Sequence, residues 1–306
     1  MTTLDDLVAS GGLRSSVSIT GLTTYKLGGP ARYYLEAEDE AQLVSIGEAL
    51  EDEPVLVLGR GSNLIVSDDG FPGLVVHLGA GFVRTDLDEH GTVTSGAATS
   101  LPALARTCAR AGRGGLEFFI GIPGSVGGGV RMNAGCHGSE TKDRLESARV
   151  IDLRRGEVGD RKPDDLQMTY RHTNLRADEI VISAVFSSEL REPAEIEETM
   201  REITRWRREH QPGGTFNAGS VFKNPPGDSA GRIIDSLGLK GTRIGGAHVS
   251  SKHANFFIAD DGVCAQDVYD LVWAVRRRVG IELDIWLQPE VQFAGSFRPS
   301  PDEGAR

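Results

Sequence analysis

Two glycine-rich loops carry the residues of this chain best suited to chemistry. Gly59-Arg60-Gly61-Ser62-Asn63 follows the apolar run Val55–Leu58. Two glycines one residue apart let backbone amides turn toward an anion, and Ser62 and Asn63 add side-chain donors. The string also suits a tight structural turn. It is not the usual dinucleotide fingerprint, since Leu64 stands where a third glycine would fall and no helical pattern follows. The second stretch runs Gly121-Ile122-Pro123-Gly124-Ser125-Val126-Gly127-Gly128-Gly129 and continues through Arg131-Met132-Asn133-Ala134-Gly135. Each glycine inside a helix costs roughly 0.8–1 kcal/mol against alanine. Such a cost points to backbone lying against a ligand. A diphosphate fits, because the amides at a helix start favour negative charge. Two such loops suggest one extended ligand, such as a dinucleotide.

The elements that must hold these loops read as alternating strands and helices. Strands are expected at Ala31–Ala37, Val55–Leu58, Leu74–Leu78, Thr92–Ala97, Ala148–Leu153 and Ile180–Ser187. Asp39 opens a helix with Gln42 three residues on, a capping-box pattern. Ser100 caps another, with Pro102 in its first turn and Gly112 as terminator. Leu101, Leu104, Ala105 and Cys108 share its apolar face. A charged segment over 191–211 places Ile196, Met200 and Ile203 at helical spacing and ends at Pro212. Beyond it we expect strand, helix, strand, helix. Ser229 caps a helix through Leu237, and Val268, Leu271, Val272, Val275 and Val279 mark a strongly amphipathic one. Residues 1–20 read as a short entry segment, and the tail after Phe297 as frayed.

Composition bounds the function classes. The chain has 306 residues, enough for two or three domains, and 39 glycines, nearly twice the usual share. Its formal charge of −11 argues against nucleic acid but leaves room for a small anion in a basic pocket. Cys108, Cys136 and Cys264 fit neither a disulfide framework nor a zinc site, so no metal is expected. No apolar run is long enough to insert in a membrane, and the acidic start lacks a signal-peptide pattern, so the cytoplasm is expected.

Together these residues match a known pattern. Thr23-Thr24-Tyr25-Lys26-Leu27-Gly28-Gly29, the two glycine stretches, Met132-Asn133-Ala134-Gly135, Tyr170-Arg171, Ala218-Gly219-Ser220-Val221-Phe222-Lys223-Asn224-Pro225 and Gln288-Pro289-Glu290-Val291 occur in order. The chain resembles the UDP-N-acetylenolpyruvoylglucosamine reductase (MurB) family, in its shorter subtype without a tyrosine-bearing loop. The resemblance implies an α+β protein: an FAD-binding fold of the vanillyl-alcohol-oxidase type with two α/β subdomains, 1–78 and 79–190. A smaller α+β substrate domain, 191–296, and a polar tail, 297–306, follow. It implies NADPH as co-substrate and FAD bound by Gly59, Arg60, Gly61, Ser62, Asn63, Leu64, Gly121, Ile122, Pro123, Gly124, Ser125, Gly127 and Gly128. No His or Cys lies in 59–64 to tether the flavin, so it is expected to be non-covalent.

By the same resemblance Ser220 is the proton donor, Arg171 holds the enolpyruvyl carboxylate, and Glu290 is the second catalytic residue. Asn224, Arg232 and Lys240 match contacts to the uridine or diphosphate. Arg232 departs from a tyrosine found in some members, and His210 stands where some have lysine. Read from the residues alone, Ser220 suits a tight turn, Arg171 a surface ion pair and Glu290 a rim carboxylate. A monomer is expected. The competing functions are another FAD-dependent oxidase or dehydrogenase of the same fold, acting on a sugar or alcohol, and a sugar-nucleotide binder that has lost its flavin.

Overall fold

The computed structural model describes residues 2–304. The chain forms two compact units that interleave along the sequence. One comprises Met1–Ser15, Tyr33–Arg60 and Gly73–Arg207, the other Ser16–Arg32, Gly61–Pro72 and Arg208–Arg306. This division differs from a consecutive one, because the helix after residue 192 groups with the first unit and two early segments with the second.

In chain order the elements begin with α1 (Leu4–Ala9), β1 (Arg14–Ser18), β2 (Pro30–Ala37), α2 (Glu40–Glu48) and β3 (Val55–Leu58). Then come β4 (Leu64–Val66), β5 (Phe71–Leu78), β6 (Thr85–Leu87), β7 (Thr92–Gly96) and α3 (Leu101–Arg110). The short β8 (Arg113–Gly114), α4 (Val126–Arg131), β9 (Gly135–Cys136) and β10 (Ser139–Glu140) follow. Next are β11 (Leu145–Asp152), β12 (Glu157–Arg161), β13 (Glu179–Ser187), β14 (Glu189–Leu190) and α5 (Pro193–His210). The chain continues with α6 (Ala230–Ser236), β15 (Arg243–Ile244), β16 (Ala247–Val249), β17 (Phe257–Ala259), α7 (Ala265–Leu283) and β18 (Gln292–Ala294).

The first unit holds two sheets. One has the order β1-β2-β5-β3, with β3 and β5 parallel. The other has the order β12-β11-β13-β7-β6 and is antiparallel. β13 is central and buried along most of its length, as its run Ile180-Val181-Ile182 requires. Serine caps set the helix starts: Ser100 Oγ accepts Ala103 N–H and Ser125 Oγ accepts Gly128 N–H. Asp39 caps α2 through Gln42 N–H, while the Gln42 side chain reaches back to Glu38 N–H. Ile196, Met200 and Ile203 are buried, as the spacing of the segment predicts.

The second unit packs α6 and α7 with the three-stranded sheet β15-β16-β17, and β18 lies parallel to β4. Val268, Leu271, Val272, Val275 and Val279 are all buried. Tyr25 is buried in the same core and donates from its hydroxyl to Phe257 O at 2.9 Å.

Three expectations need correction. The entry segment contains α1 and β1, the helix opened by a capping box of Thr3 and Asp6. No regular strand lies between α5 and α6; residues 216–222 make only isolated bridges. The tail is packed rather than frayed through Ser300. Phe297 stacks on Tyr269 with centroids 4.6 Å apart, Gln266 bonds both N–H and C=O of Arg298, and Ser300 is buried. Among the described residues no helix is long and apolar enough to cross a membrane.

Candidate active site

In the first unit a cavity of about 120 Å³ opens beside both glycine stretches. Gly59, Arg60, Ser125, Gly127 and Gly128 line it, with Val57, Leu58, Leu78, Ala97 and Val181 as apolar wall. It lies at the carboxyl ends of the parallel pair β3 and β5, where open α/β sheets place ligands. Arg131, quoted with the second stretch but given no role, also lines it, as do His77 and Glu179, which sequence reasoning missed. The position of His77 near the end of the expected strand Leu74–Leu78 was the available signal. Tyr34 Oη lies 2.9 Å from His77 Nδ1, and burial pushes the His77 pKa down. Burial likewise lowers Arg131, opposed by the Glu179 and Asp178 carboxylates. Arg131 donates to the carbonyl of Arg176 at 3.0 Å.

The physical reason for the glycines is partly different from that expected. A Cβ on Gly59 would meet Ser125 Oγ at 2.7 Å, and one on Gly61 would meet Leu22 O at 2.3 Å. At Gly121 it would meet Cys136 Sγ at 2.8 Å. Close approach of one protein segment to another therefore accounts for these positions. The first amides of α4 are also spent inside the protein: Val126 N–H donates to Thr99 O, Gly127 N–H to Ala97 O and Gly128 N–H to Ser125 Oγ. That helix start does not offer them to a phosphate.

The first loop fits an anion better. Among the described residues, the backbone amides of Gly61, Ser62 and Asn63 donate to no protein acceptor, and Gly61 has φ 58°. The cavity beside Gly59 and Arg60 is below the roughly 300–1,000 Å³ of pockets for drug-sized ligands. Asn63 is only partly available, since its Nδ2 donates to Glu290 O at 3.0 Å. Leu64 is buried as the first residue of β4. Ile122 and Pro123 follow a short 3-10 turn that ends at Gly121, whose carbonyl accepts from Arg207.

Also in the first unit, Arg171 adopts φ 54° in a tight hairpin closed by Thr169 and His172. Its guanidinium donates to Gly135 O at 2.6 Å and to Asn133 O at 3.4 Å, with a Glu140 carboxylate oxygen at 3.9 Å. Asn133 is fully buried and bonds Thr169 O, Glu140 and Lys142 N–H through its side chain. The Met132–Gly135 string thus seats the arginine rather than standing apart from it.

In the second unit the Ser220 segment is a ribbon hung between two others. Ser220 bridges Phe256 and Phe222 bridges Pro289. Val221 O accepts Glu290 N–H at 2.7 Å, and Lys223 N–H donates to Gln288 O at 2.9 Å. Gly219 turns the chain with φ 74°, and its N–H is capped by Asn217 Oδ1. Ser220 and Glu290, both half-buried, are brought onto one ribbon.

The expected substrate contacts have protein partners. Asn224 Oδ1 accepts Ala230 N–H at 3.0 Å, which helps start α6. Arg232 is exposed and forks onto Asp228, whose carboxyl its hydrogen bond and charge hold down at about 2. Lys240 Nζ bonds Asp235 Oδ2 at 2.7 Å. Lys240 and His210 are both electrostatic neighbours of His253, a residue sequence reasoning left unassigned. Burial is the largest influence there and lowers the His253 pKa.

Comparison with known proteins adds to this geometry. Residues 211–294 match the family model of the UDP-N-acetylenolpyruvoylglucosamine reductase C-terminal domain, and residues 31–160 match an FAD binding domain. A UDP-N-acetylenolpyruvoylglucosamine reductase of Gloeobacter violaceus is 41% identical, covering 92% of this chain and 96% of its own. One of Heliobacterium modesticaldum is 42% identical, covering 92% and 90%. The crystal structure of the Thermus caldophilus enzyme superposes with a TM-score of 0.81 at 39% identity, covering 92% of this chain and all of its own.

Proposed function

The chain belongs to the UDP-N-acetylenolpyruvoylglucosamine reductase family, and on that premise we propose that it reduces the enolpyruvyl group of UDP-N-acetylglucosamine enolpyruvate. The product is UDP-N-acetylmuramate, made with NADPH as reductant in peptidoglycan precursor synthesis. FAD, which the Gly59–Asn63 loop would hold without a covalent link, would supply the hydride chemistry between the nicotinamide and the enolpyruvyl methylene carbon. The protein's part is to hold, orient and protonate.

Addition of hydride leaves negative charge on an enolate conjugated to a carboxylate. A preorganised cation must face that charge. Arg171 fills the role, since a guanidinium matches a carboxylate with two parallel bonds. Ser220 delivers the proton to the adjacent carbon, and Glu290 steadies charge around the enolic intermediate. Gly59, Arg60, Gly61, Ser62 and Asn63 cradle the cofactor's anionic portion, with the Gly121–Gly128 stretch alongside. Asn224, Arg232, Lys240 and His210 serve the sugar nucleotide. For Arg232 and Lys240 this means exchanging Asp228 and Asp235 for the diphosphate.

One observation carries the reading: Ser220 and Glu290 share a hydrogen-bonded ribbon, joined through Val221. The test separates the two half-reactions in Ser220→Ala. Flavin reduction by NADPH should stay near the native rate, while reoxidation by substrate slows about 10²–10⁴-fold. Equal slowing of both steps would make Ser220 structural. The protein is further proposed to act as a cytoplasmic monomer; a sedimentation mass of two chains would refute the second part.

A further inference from the structure

Ser220 lies on no regular strand, so a backbone ladder does not fix it. Asn255 supplies what the ladder would. Its side chain is buried, with 2% of the residue exposed. Phe222 N–H donates to Asn255 Oδ1 at 2.9 Å, and Asn255 Nδ2 donates to Phe222 O at 2.8 Å. The main-chain carbonyl of Asn255 accepts Val221 N–H at 2.9 Å. One residue thus grips the two positions that follow Ser220 with three bonds.

The chemistry of the clamp is specific to a carboxamide. One partner is a donor and the other an acceptor, so only a side chain offering both answers them. An ionised aspartate would turn an acceptor toward Phe222 O, and a serine is too short to reach both. On the opposite side the ribbon is held through Glu290 N–H and Gln288 O. Loss of the two side-chain bonds therefore leaves the segment attached, through these contacts and the main-chain carbonyl of residue 255, while loosening Phe222 and with it the setting of Ser220.

We propose that Asn255 is the positioning residue for Ser220, fixing its hydroxyl for proton delivery; this rests on the reading of Ser220 as the donor. The test uses flavin-loaded enzyme carrying Asn255→Asp or Asn255→Ser, each alone and with Ser220→Ala. Flavin reduction by NADPH should stay within about twofold of native, and reoxidation by the enolpyruvyl sugar nucleotide should slow about ten- to a hundredfold. In the Ser220→Ala background the same changes should slow reoxidation by no more than about a further twofold, because their effect acts through the missing hydroxyl. Where Asn255→Asp fails to hold flavin, Asn255→Ser carries the test. Native reoxidation in a loaded Asn255 variant would overturn the proposal. So would slowing that multiplies with Ser220→Ala, or equal slowing of both half-reactions. If Ser220→Ala alone reoxidises normally, the donor reading itself falls and the Asn255 role with it.

Discussion

Arg171 leaves a backbone at φ 54° with its guanidinium already bonded to Gly135 O and Asn133 O. A side chain held this way has lost most of its freedom before any ligand arrives, which lowers the ordering cost of binding. Arg171→Ala should weaken binding of the enolpyruvyl substrate by about 1.5–3 kcal/mol, roughly ten- to a hundredfold in Kd. Arg171→Lys should recover only part of it, because an ammonium cannot make the two parallel bonds. Equal titration curves for native and Arg171→Ala protein would refute the assignment. Cys108 is the opposite case. Burial, with Glu117 adding to it, pushes its thiol up to about 12, so it should stay unmodified by thiol reagents in the native state.

At the scale of elements, the loop after β3 and the start of α4 are fitted to each other through Gly59 and Ser125. Gly59→Ala should cost about 1–3 kcal/mol by overpacking against Ser125 Oγ. Adding Ser125→Ala should remove the clash and leave a loss of about 0.5–2 kcal/mol for the missing cap. Thermal unfolding with flavin content checks both; a double variant less stable than Gly59→Ala would contradict the packing argument. This pairing also marks what could be read in advance. Ser100 and Ser229 cap helices as expected, because capping is a local bond between near neighbours, whereas the cap at Ser125 was not read from its glycine-rich string. The apolar faces of α3, α5 and α7 were legible for the same local reason. The partners of Gly59, Gly61 and Gly121 were not, since each lies on a segment distant in sequence. Asn255 gave no signal either, as an asparagine that serves a remote backbone looks like one in a turn. Of the site, the glycine loops and the Ser220 segment were visible as strings, while the seat of Arg171 and the spent amides of α4 required coordinates.

Across the whole molecule, α+β architecture with an FAD-binding fold holds several charges out of water. Asp152 and Glu179 are nearly inaccessible, yet their pKa values fall below normal. Burial alone would raise them, but Arg176 on both, Arg161 on Glu179 and backbone N–H groups on Asp152 outweigh it. Arg176→Leu should cost about 2–4 kcal/mol, less than a fully buried pair because Arg176 is half exposed. The stability these carboxylates give is present above their ordinary values of 3.8 and 4.5 and is lost as pH falls through the lowered folded ones. His77 and His253 act earlier. Both have lowered pKa values, so the unfolded chain binds their protons more readily, and stability declines as pH drops below 6.5. Thermal unfolding against pH should show both stages, and His77→Gln with His253→Gln should flatten the first. The most direct test of the proposed activity is an anaerobic titration of flavin-loaded protein, first with NADPH and then with the enolpyruvyl sugar nucleotide. The account predicts that the yellow colour is lost in the first step and returns fully in the second, without oxygen; a flavin that NADPH leaves yellow, or that only oxygen restores, would contradict it.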